Sequence, residues 1–318
     1  MPTALITGVA GQDGSYLAEF LIGRGYRVVG TTRDLRRALE LPYARALAGV
    51  ELIQGSIESS PDFLRAILER ERPDEVYHLG GPSKVSASWA NPAATTVDIV
   101  LPAALIIEAA AETLPSPRLF FAGSCEIFAP ELQAQDERAP RSPVSPYGSA
   151  KLEAMEFVRQ AREQLGLYAV TGILFNHESP RRGEAFVTRK IARGAARIAR
   201  GRQTGLSLGL LDVRRDWGFA GDYVRAMWLM LFQEEPEDMV IGTGVAHSVA
   251  DFCDAAFRHV GLDWREHVTV DESLVRPVDA PLRLANPARA RQRLGWTPEV
   301  DFDALVRMMV GEELRVQS

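Results

Sequence analysis

Short apolar runs alternate along the first half of the chain with segments whose apolar residues recur at helical spacing. The runs that predict strands lie at residues 4–7, 27–32, 50–54, 74–80, 118–123 and 170–175. Helical spacing between them predicts helices that begin near residue 12 and at residues 61–70, 97–111 and 147–165. Regular alternation of this kind predicts an α/β fold, a parallel sheet doubly wound by helices on both faces.

After residue 175 the alternation becomes less regular. A polar loop at 176–184 precedes predicted helices at 187–200, 221–232, 249–260 and 302–313 and short predicted strands at 206–210 and 240–243. No Gly/Ser linker or internal repeat marks a boundary. We therefore predict a smaller, interleaved C-terminal α/β domain. Residues 1–170 with about 212–243 would bind a dinucleotide, and about 171–211 with 244–318 would bind the substrate.

The segment 97–111 is apolar on nearly all sides, which predicts a helix packed against the sheet or a second subunit. Pro102 predicts a helix start near residue 101 or a kink. The longest apolar stretch, 99–111, is too short to span a bilayer, and the chain enters its first strand without a targeting signal. We expect a soluble cytoplasmic protein without a membrane partner.

Composition excludes several classes of function. The net charge of −6, with both signs interspersed, argues against a nucleic-acid partner. Two cysteines cannot form a disulfide framework, and the five histidines show no metal-ligand spacing, so we expect no metal.

Three glycines, Gly8, Gly11 and Gly14, separate the first predicted strand from the first helix. Glycine permits positive φ in the turn and close approach of backbone N–H groups to a diphosphate at the positive end of the helix. The pattern predicts a Rossmann-type dinucleotide site. Arg33, at the end of the second strand, suits the 2′-phosphate of NADP, whereas Asp34 keeps NAD open.

Chemically reactive side chains follow the fifth predicted strand. Ser124 and Glu126 come directly after it, where open parallel sheets place their chemistry. Tyr147 and Lys151 are four residues apart and share one helix face. A neighbouring ammonium and a nicotinamide cation favour phenolate, so we expect Tyr147, assisted by Ser124, to remove a hydroxyl proton while hydride leaves the same carbon.

Glu126 distinguishes between reactions. A reductase or epimerase needs no carboxylate there, whereas a dehydratase needs one to remove an acidified C–H proton and to protonate a departing hydroxyl. The structural alternative is that Glu126 caps a helix or pairs with an arginine. We interpret Cys125 as a small packed residue.

Basic residues recur at loops and helix starts in the C-terminal part. They are Arg181, Arg182, Lys190, Arg215 and Arg276. Guanidinium groups bind phosphate oxygens in bidentate fashion, so in an acidic chain these residues favour a nucleotide-sugar substrate over nucleic acid. We interpret Arg193, Arg197 and Arg200 as a solvated helix face.

Longer strings resemble the GDP-mannose 4,6-dehydratase family of extended short-chain dehydrogenases/reductases. They include TGVAGQDGSYLAE (7–19), PDEVY (73–77), SPY (145–147) with Lys151, GILFNHESPRRGE (172–184), FVTRKI (186–191), RDWG (215–218), PED (236–238), LGW (294–296) and LVRMMV (305–310). The resemblance runs nearly from end to end. It implies NADP, GDP-mannose as substrate, and oxidation at C4, loss of water across C5–C6 and hydride return to C6.

The resemblance also implies the site residues. Ser124, Glu126, Tyr147 and Lys151 match the family's catalytic positions. Cofactor contacts are implied at Gly8, Gly11, Gln12, Asp13, Gly14, Arg33, Ser56, Ile57, Leu79, Tyr147, Lys151, His177 and Arg182. Substrate contacts are implied at Ser83, Asn176, Val187, Lys190, Arg215 and Arg276.

Several positions depart from the family pattern. Ser56 stands in place of an aspartate, Pro82 and Lys84 in place of Gln and His, and Leu210 in place of Asn, while a Glu before the Val-Asp pair that ends at Asp279 is missing. The segment after the second strand is also shortened. A related GDP-sugar such as a GDP-heptose, and a homodimer as well as a homotetramer, therefore stay open. So do a GDP-4-keto-6-deoxymannose reductase, a sugar-nucleotide epimerase and a non-catalytic NADP sensor.

Overall fold

The structure, a computed structural model, describes residues 1–57 and 60–316. Its strands in chain order are β1 (Thr3–Thr7), β2 (Arg27–Thr32), β3 (Val50–Gln54), β4 (Glu75–His78), β5 (Arg118–Ala122), β6 (Ala169–Leu174), β7 (His177–Glu178), β8 (Leu206–Leu208), β9 (Arg214–Asp216), β10 (Gly218–Phe219), β11 (Met239–Ile241), β12 (Ala246–Ser248), β13 (Val268–Val270) and β14 (Leu282–Arg283). Its helices are α1 (Gln12–Ile22), α2 (Leu35–Leu39), α3 (Pro61–Glu71), α4 (Val85–Ser88), α5 (Pro92–Glu112), α6 (Pro146–Leu165), α7 (Val187–Ala199), α8 (Ala220–Met230), α9 (Val249–His259), α10 (Ala288–Leu294) and α11 (Phe302–Val316).

A seven-stranded sheet in the order β11-β6-β5-β4-β1-β2-β3 forms the centre, and every neighbouring pair in it is parallel. The chain direction across the sheet reverses between β1 and β4, where open α/β sheets bind ligands at the carboxyl ends of the strands. The predicted doubly wound fold is confirmed.

Helices cover both faces of this sheet. On one face, Leu17 of α1 and Met227 of α8 pack against sheet residues such as Ile6. On the other, Leu64 of α3, Ile106 of α5 and Val158 of α6 enclose the opposite face. Burial of apolar residues on alternate sides of each strand accounts for the continuous apolar runs of the sequence.

Helix α5 differs from the expectation for residues 97–111. It starts at Pro92, because Asn91 caps it by accepting a hydrogen bond from Ala94 N (3.1 Å). The start near residue 101 is therefore wrong, and Pro102 lies inside the helix. At 21 residues, α5 is the one helix among those described that is long and apolar enough, by length and composition only, to cross a membrane. The helix thus extends well beyond the apolar stretch 99–111 to which the expectation of a length too short for a bilayer applied, and α5 contributes core residues between sheet and helices, as core helices do.

The C-terminal segments form small sheets beside the large one. β9 pairs with β12 antiparallel and with β14 parallel, β13 pairs with β8, and β10 pairs with β7. Helices α7, α9 and α11 pack around a core that includes Ile191, Phe252 and Met309. The short strands β8 and β11 overlap the strands expected at 206–210 and 240–243. The other strands of two or three residues and helices α2, α4 and α10 have no counterpart in the sequence prediction, because elements this short show no periodicity.

Candidate active site

A cavity opens at the carboxyl ends of β1, β4, β5 and β6 and is closed by C-terminal segments. It brings together fourteen of the predicted site residues, which are Asp13, Leu79, Ser83, Ser124, Glu126, Tyr147, Lys151, Asn176, His177, Arg182, Val187, Lys190, Arg215 and Arg276. The cavity therefore unites positions that are up to 263 residues apart in sequence. Lys84 and Leu210, two of the departures from the family pattern, also line it.

The turn between β1 and α1 can be built only with glycine. Gly8 has φ +69°, and a Cβ on it would lie 2.8 Å from the Gly80 Cα. A Cβ on Gly14 would lie 2.5 Å from the Gly8 carbonyl oxygen. Gly11 is the N-cap of α1 and offers no side chain to the first-turn N–H groups, which stay available to an anion. These residues fit the diphosphate of a dinucleotide.

The side chains that follow these glycines tie the turn to the segment after β6. Gln12 Nε2 donates to the His177 carbonyl (3.1 Å), and Ser179 Oγ donates to Gln12 Oε1 (2.8 Å). Asp13 Oδ2 lies 2.9 Å from His177 Nε2. Burial acts to lower the pKa of His177, but the nearby Asp13 carboxylate has the larger combined effect, so the pKa of His177 is raised. The Gln12 side chain is thus occupied by protein groups.

The remaining predicted cofactor residues lie beside the cavity. Arg33 is exposed at the carboxyl end of β2, and Ser56 and Ile57 follow β3, which is the neighbouring strand. Asp34, which kept NAD open, is the N-cap of α2 and accepts a hydrogen bond from Arg37 N (2.9 Å). The edge formed by β2 and β3 therefore adjoins the glycine turn through β1.

The loop after β5 holds the candidate catalytic residues against the start of α6. Ser124 Oγ accepts a hydrogen bond from Glu126 N (3.2 Å), which fixes a short 3₁₀ turn. Ser145 caps α6 by accepting from Gly148 N (3.1 Å). A Cβ on Gly148 would lie 2.3 Å from the Glu126 carbonyl oxygen, so glycine after Tyr147 lets the helix approach the loop this closely.

Tyr147 and Lys151 share a face of α6, as predicted, and both line the cavity. Lys151 Nζ donates to the Ala122 carbonyl (2.8 Å) and lies 5.9 Å from the centre of the Tyr147 ring. Burial lowers the pKa of Lys151 to about 8, which Asp13 partly opposes. Burial likewise raises the pKa of Tyr147, against a lowering effect of Ser124. The sequence predicts that the Lys151 ammonium and a nicotinamide cation favour phenolate, but among the protein groups burial outweighs the lowering of the Tyr147 pKa by Ser124 and Arg182.

Glu126 is buried beside two arginines. Arg283 Nη2 lies 3.2 Å from Glu126 Oε2, and Arg276 Nη1 lies 3.9 Å from Glu126 Oε1. The arginine pairing that we considered as the structural alternative is thus present. It leaves Glu126 on the cavity wall, beside Ser124 and Tyr147.

The basic residues predicted for a diphosphate divide into two groups. Arg215, Arg276, Lys190 and Arg182 line the cavity, and Asp279 Oδ1 accepts from both Arg215 Nη2 (2.7 Å) and Arg276 Nη1 (3.3 Å). Arg181 does not line it. Its guanidinium pairs with Glu19 (2.6 Å) and stacks on Tyr16 of α1.

Two polar groups have roles that the sequence does not predict. Arg283 lies buried behind the cavity wall, and its only signal in the sequence is a charge between Leu282 and Leu284. Asn176 was predicted, but its buried Oδ1 has no hydrogen-bond partner among the described residues. An unpaired buried acceptor on a cavity wall is suited to a ligand donor.

Comparison with known proteins places these features in a family. Residues 5–309 match the family model described as GDP-mannose 4,6 dehydratase. GDP-mannose 4,6 dehydratase 1 of Arabidopsis thaliana is 44% identical over 326 residues, which cover 98% of this chain and 90% of the relative. The human GDP-mannose 4,6 dehydratase is 41% identical over 342 residues, covering 98% of this chain and 91% of the relative.

Solved structures of lower identity show the same fold. UDP-glucose 4-epimerase from Thermotoga maritima, solved with UDP-glucose, superimposes with a TM-score of 0.86 at 23% identity and covers 99% of this chain and 100% of its own. UDP-glucuronic acid 4-epimerase from Bacillus cereus, solved with UDP-glucuronic acid and NAD, gives a TM-score of 0.86 at 18% identity, with 99% of both chains covered.

Proposed function

The chain belongs to the GDP-mannose 4,6-dehydratase family, and from this premise we propose that it dehydrates GDP-mannose to GDP-4-dehydro-6-deoxy-mannose. The single observation that carries the proposal is Glu126, a carboxylate on the cavity wall beside Ser124 and Tyr147. A reductase or an epimerase of this fold has no use for a carboxylate at that place.

Proton transfer at C4 is the proposed role of Tyr147 and Ser124. A nicotinamide dinucleotide held at the glycine turn between β1 and α1 would supply the acceptor for the C4 hydride and, after elimination, the hydride for C6. The hydride at C6 would be balanced by a proton at C5, equivalent to the one that Tyr147 removes from the C4 hydroxyl. Tyr147 takes the proton of the C4 hydroxyl, and Ser124 holds that hydroxyl in place. Lys151, with its pKa lowered by burial to about 8, holds a positive charge near the phenol at neutral pH.

Elimination across C5 and C6 is the proposed role of Glu126. Once C4 is a carbonyl, the C5 proton is acidic enough for a carboxylate to remove it. The C5–H electron pair forms the C5–C6 double bond, and the C6–O bond breaks. The departing oxygen takes the proton from Glu126 and leaves as water, so the carboxylate is restored.

The GDP part is proposed to lie against the C-terminal side of the cavity. Arg215, Arg276 and Lys190 supply positive charge there for the diphosphate. Val187 begins α7, whose N-terminus faces the cavity, and Asn176 offers its unpaired acceptor. Ser83 and Lys84 also line the cavity, and they are proposed to lie beside the sugar.

We further propose NADP rather than NAD as the cofactor. Arg33 lies exposed at the end of β2, where a 2′-phosphate would bind, while Asp34 is engaged as the cap of α2. A homodimer or homotetramer is proposed because Val97 and Leu101 of α5 leave apolar surface exposed, at 51% and 39%.

The test is to incubate the purified protein with NADP and GDP-mannose without added reductant and to follow the nucleotide sugar by mass spectrometry. We expect loss of one water with no net change in NADPH, and water loss slowed to a residual rate in Glu126→Gln. If GDP-mannose is not dehydrated and a separate mixture of the protein with NADPH and a GDP-4-keto-6-deoxy sugar consumes the NADPH, the protein is instead a reductase. Intact GDP-mannose, together with dehydration of a GDP-heptose, would keep the reaction and change the sugar, which Lys84 and Leu210 on the wall would explain.

A further inference from the structure

Arg283 is a guanidinium group buried without solvent contact, at 0% exposure, behind the cavity. Its Nη1 donates to the carbonyls of Phe128 (3.0 Å) and Ala129 (3.1 Å), and its Nη2 donates to Glu126 Oε2 (3.2 Å). A buried charge is tolerated only when it is paired and hydrogen-bonded. Here the pairing goes to one carboxylate, which belongs to the loop after β5.

The position of Arg283 follows from the C-terminal sheet. β14 pairs with β9 so that Arg283 lies opposite Arg215. Ala285, two residues later, packs with Phe128 and Phe175, and Gln135 bridges to Ala285. The strand that carries Arg283 is thus fixed on both sides, so its guanidinium reaches Glu126 from a rigid support.

The two oxygens of Glu126 have different surroundings. Oε2 accepts a hydrogen bond from Arg283, whose planar guanidinium also donates to a backbone carbonyl of the same loop. Oε1 lies 3.9 Å from Arg276, which is a cavity residue and one-third exposed. One oxygen is therefore held from behind, and the other is directed to the side from which a substrate enters.

We infer that Arg283 is a positioning residue for the elimination step, which holds Glu126 Oε2 and so aims Glu126 Oε1 at the C5 proton. The inference rests on the proposed dehydratase function. Arg283 itself touches neither the sugar nor the cofactor.

The consequence is selective for one step of the cycle. Oxidation at C4 uses Tyr147 and Ser124, which Arg283 does not contact, whereas removal of the C5 proton depends on Glu126. A change at Arg283 that acts through Glu126 slows elimination and leaves the oxidation step fast. A change that merely loosens the protein slows both steps.

Arg283→Met removes the charge at similar length, and Arg283→Lys keeps the charge without the fork. Arg289→Met is the matched control, because Arg289 lies six residues away, pairs with buried Glu137 (3.5 Å) and does not line the cavity. Single-turnover mixing with NADP and GDP-mannose measures cofactor reduction by absorbance and water loss by mass spectrometry. GDP-mannose deuterated at C4 or at C5 reports which bond breaks in the slow step.

For Arg283→Met we expect water loss to fall by roughly 10²-fold, in the range for loss of an acid–base group, with cofactor reduction changed by less than about threefold. The isotope effect at C5 should rise and that at C4 should fall toward unity. Arg283→Lys should show the same pattern with a smaller loss, and it carries the test if the Met variant does not fold. Glu126→Gln combined with Arg283→Met should be no slower than Glu126→Gln alone.

Equal slowing of both steps in Arg283→Lys and Arg283→Met, with unchanged isotope effects, would overturn the inference and leave the dehydratase function intact. A further loss in the double variant would also overturn it. A wild-type protein that reduces its cofactor but releases no water would instead contradict the proposed function itself.

Discussion

The two ends of the cavity are built by different means. At the cofactor end, the turn between β1 and α1 leaves no room for side chains, since a Cβ on Gly8 or on Gly14 would lie within 3 Å of neighbouring backbone atoms. At the substrate end, Arg215, Arg276 and Arg283 are held by Asp279 and Glu126 through paired charges. The first end relies on the absence of side chains and the second on their charge. An added methyl group should therefore disrupt one end, and a neutralised charge the other.

Gly8→Ala is expected to have the largest effect. A Cβ there would meet Gly80 at 2.8 Å and the residue would keep φ +69°, so the free energy of unfolding should fall by about 3 kcal/mol from combined overpacking and left-handed strain. Cofactor binding should be lost because the turn must shift. Denaturant unfolding and cofactor fluorescence measure the two effects.

Gly166→Ala is the matched control for this change. Gly166 has φ +66°, but nothing lies within 4 Å of its Cβ position. It should lose only about 1 kcal/mol of stability and bind cofactor as the wild type does. Equal behaviour of the two variants would mean that the close contact with Gly80 is unimportant.

Arg215→Met tests the substrate end. Its buried guanidinium donates to Asp279 at 2.7 Å, and a charge-assisted bond to a diphosphate is worth about 1.5–3 kcal/mol, so kcat/KM for GDP-mannose should fall roughly 10- to 100-fold, mostly through KM. Arg214→Met is the control, since Arg214 is exposed and donates to the Ala246 carbonyl (2.7 Å). Similar kinetics for both variants would contradict binding of the diphosphate at this end of the cavity.

Lys151→Met should separate activity from stability. The pKa of Lys151 is lowered to about 8 by burial, while an unfolded lysine titrates near ~10.4. Between these values the folded protein holds fewer protons than the unfolded chain, so the free energy of unfolding rises with pH, and below pH 8 the buried ammonium costs stability. At pH 7 Lys151→Met should abolish turnover in the presence of cofactor. In its absence the substitution should stabilise the fold by about 2 kcal/mol, somewhat less than the ~3 kcal/mol implied by the pKa difference.

The measurement is urea unfolding at pH values from 7 to 10. The wild type should gain stability from pH 8 upward, and Lys151→Met should lack this rise. Lys84→Met, at an exposed lysine, should keep it. A rise that persists in Lys151→Met would assign the pH dependence to another group.

The backbone-dependent cofactor end could largely be predicted from the sequence, whereas the charge pairs of the substrate end could not. The glycine turn and the Tyr147–Lys151 face are local patterns, and local patterns with a clear period predicted the sheet and most of its helices. The start of α5 differs from the prediction because the cap signal of Asn91 and Pro92 lies outside the apolar segment 97–111, from which the helix was predicted. Arg283 and Glu126 are 157 residues apart, and the pairing of two short strands, β14 with β9, holds Arg283 in place, so no local pattern predicts this contact. The pKa of Tyr147 likewise depends on burial, which spacing does not reveal.

Asp279 has a kinetic consequence under the proposed function. The ion-pair network of three guanidinium groups (Arg215, Arg276 and Arg283) and two carboxylates (Glu126 and Asp279) carries a formal charge of +1, where without Asp279 it would be +2. Substrate and product carry the same diphosphate, so every gain in binding one is a gain in retaining the other. By offsetting one positive charge, Asp279 limits how long the product stays bound and so favours turnover over tight capture.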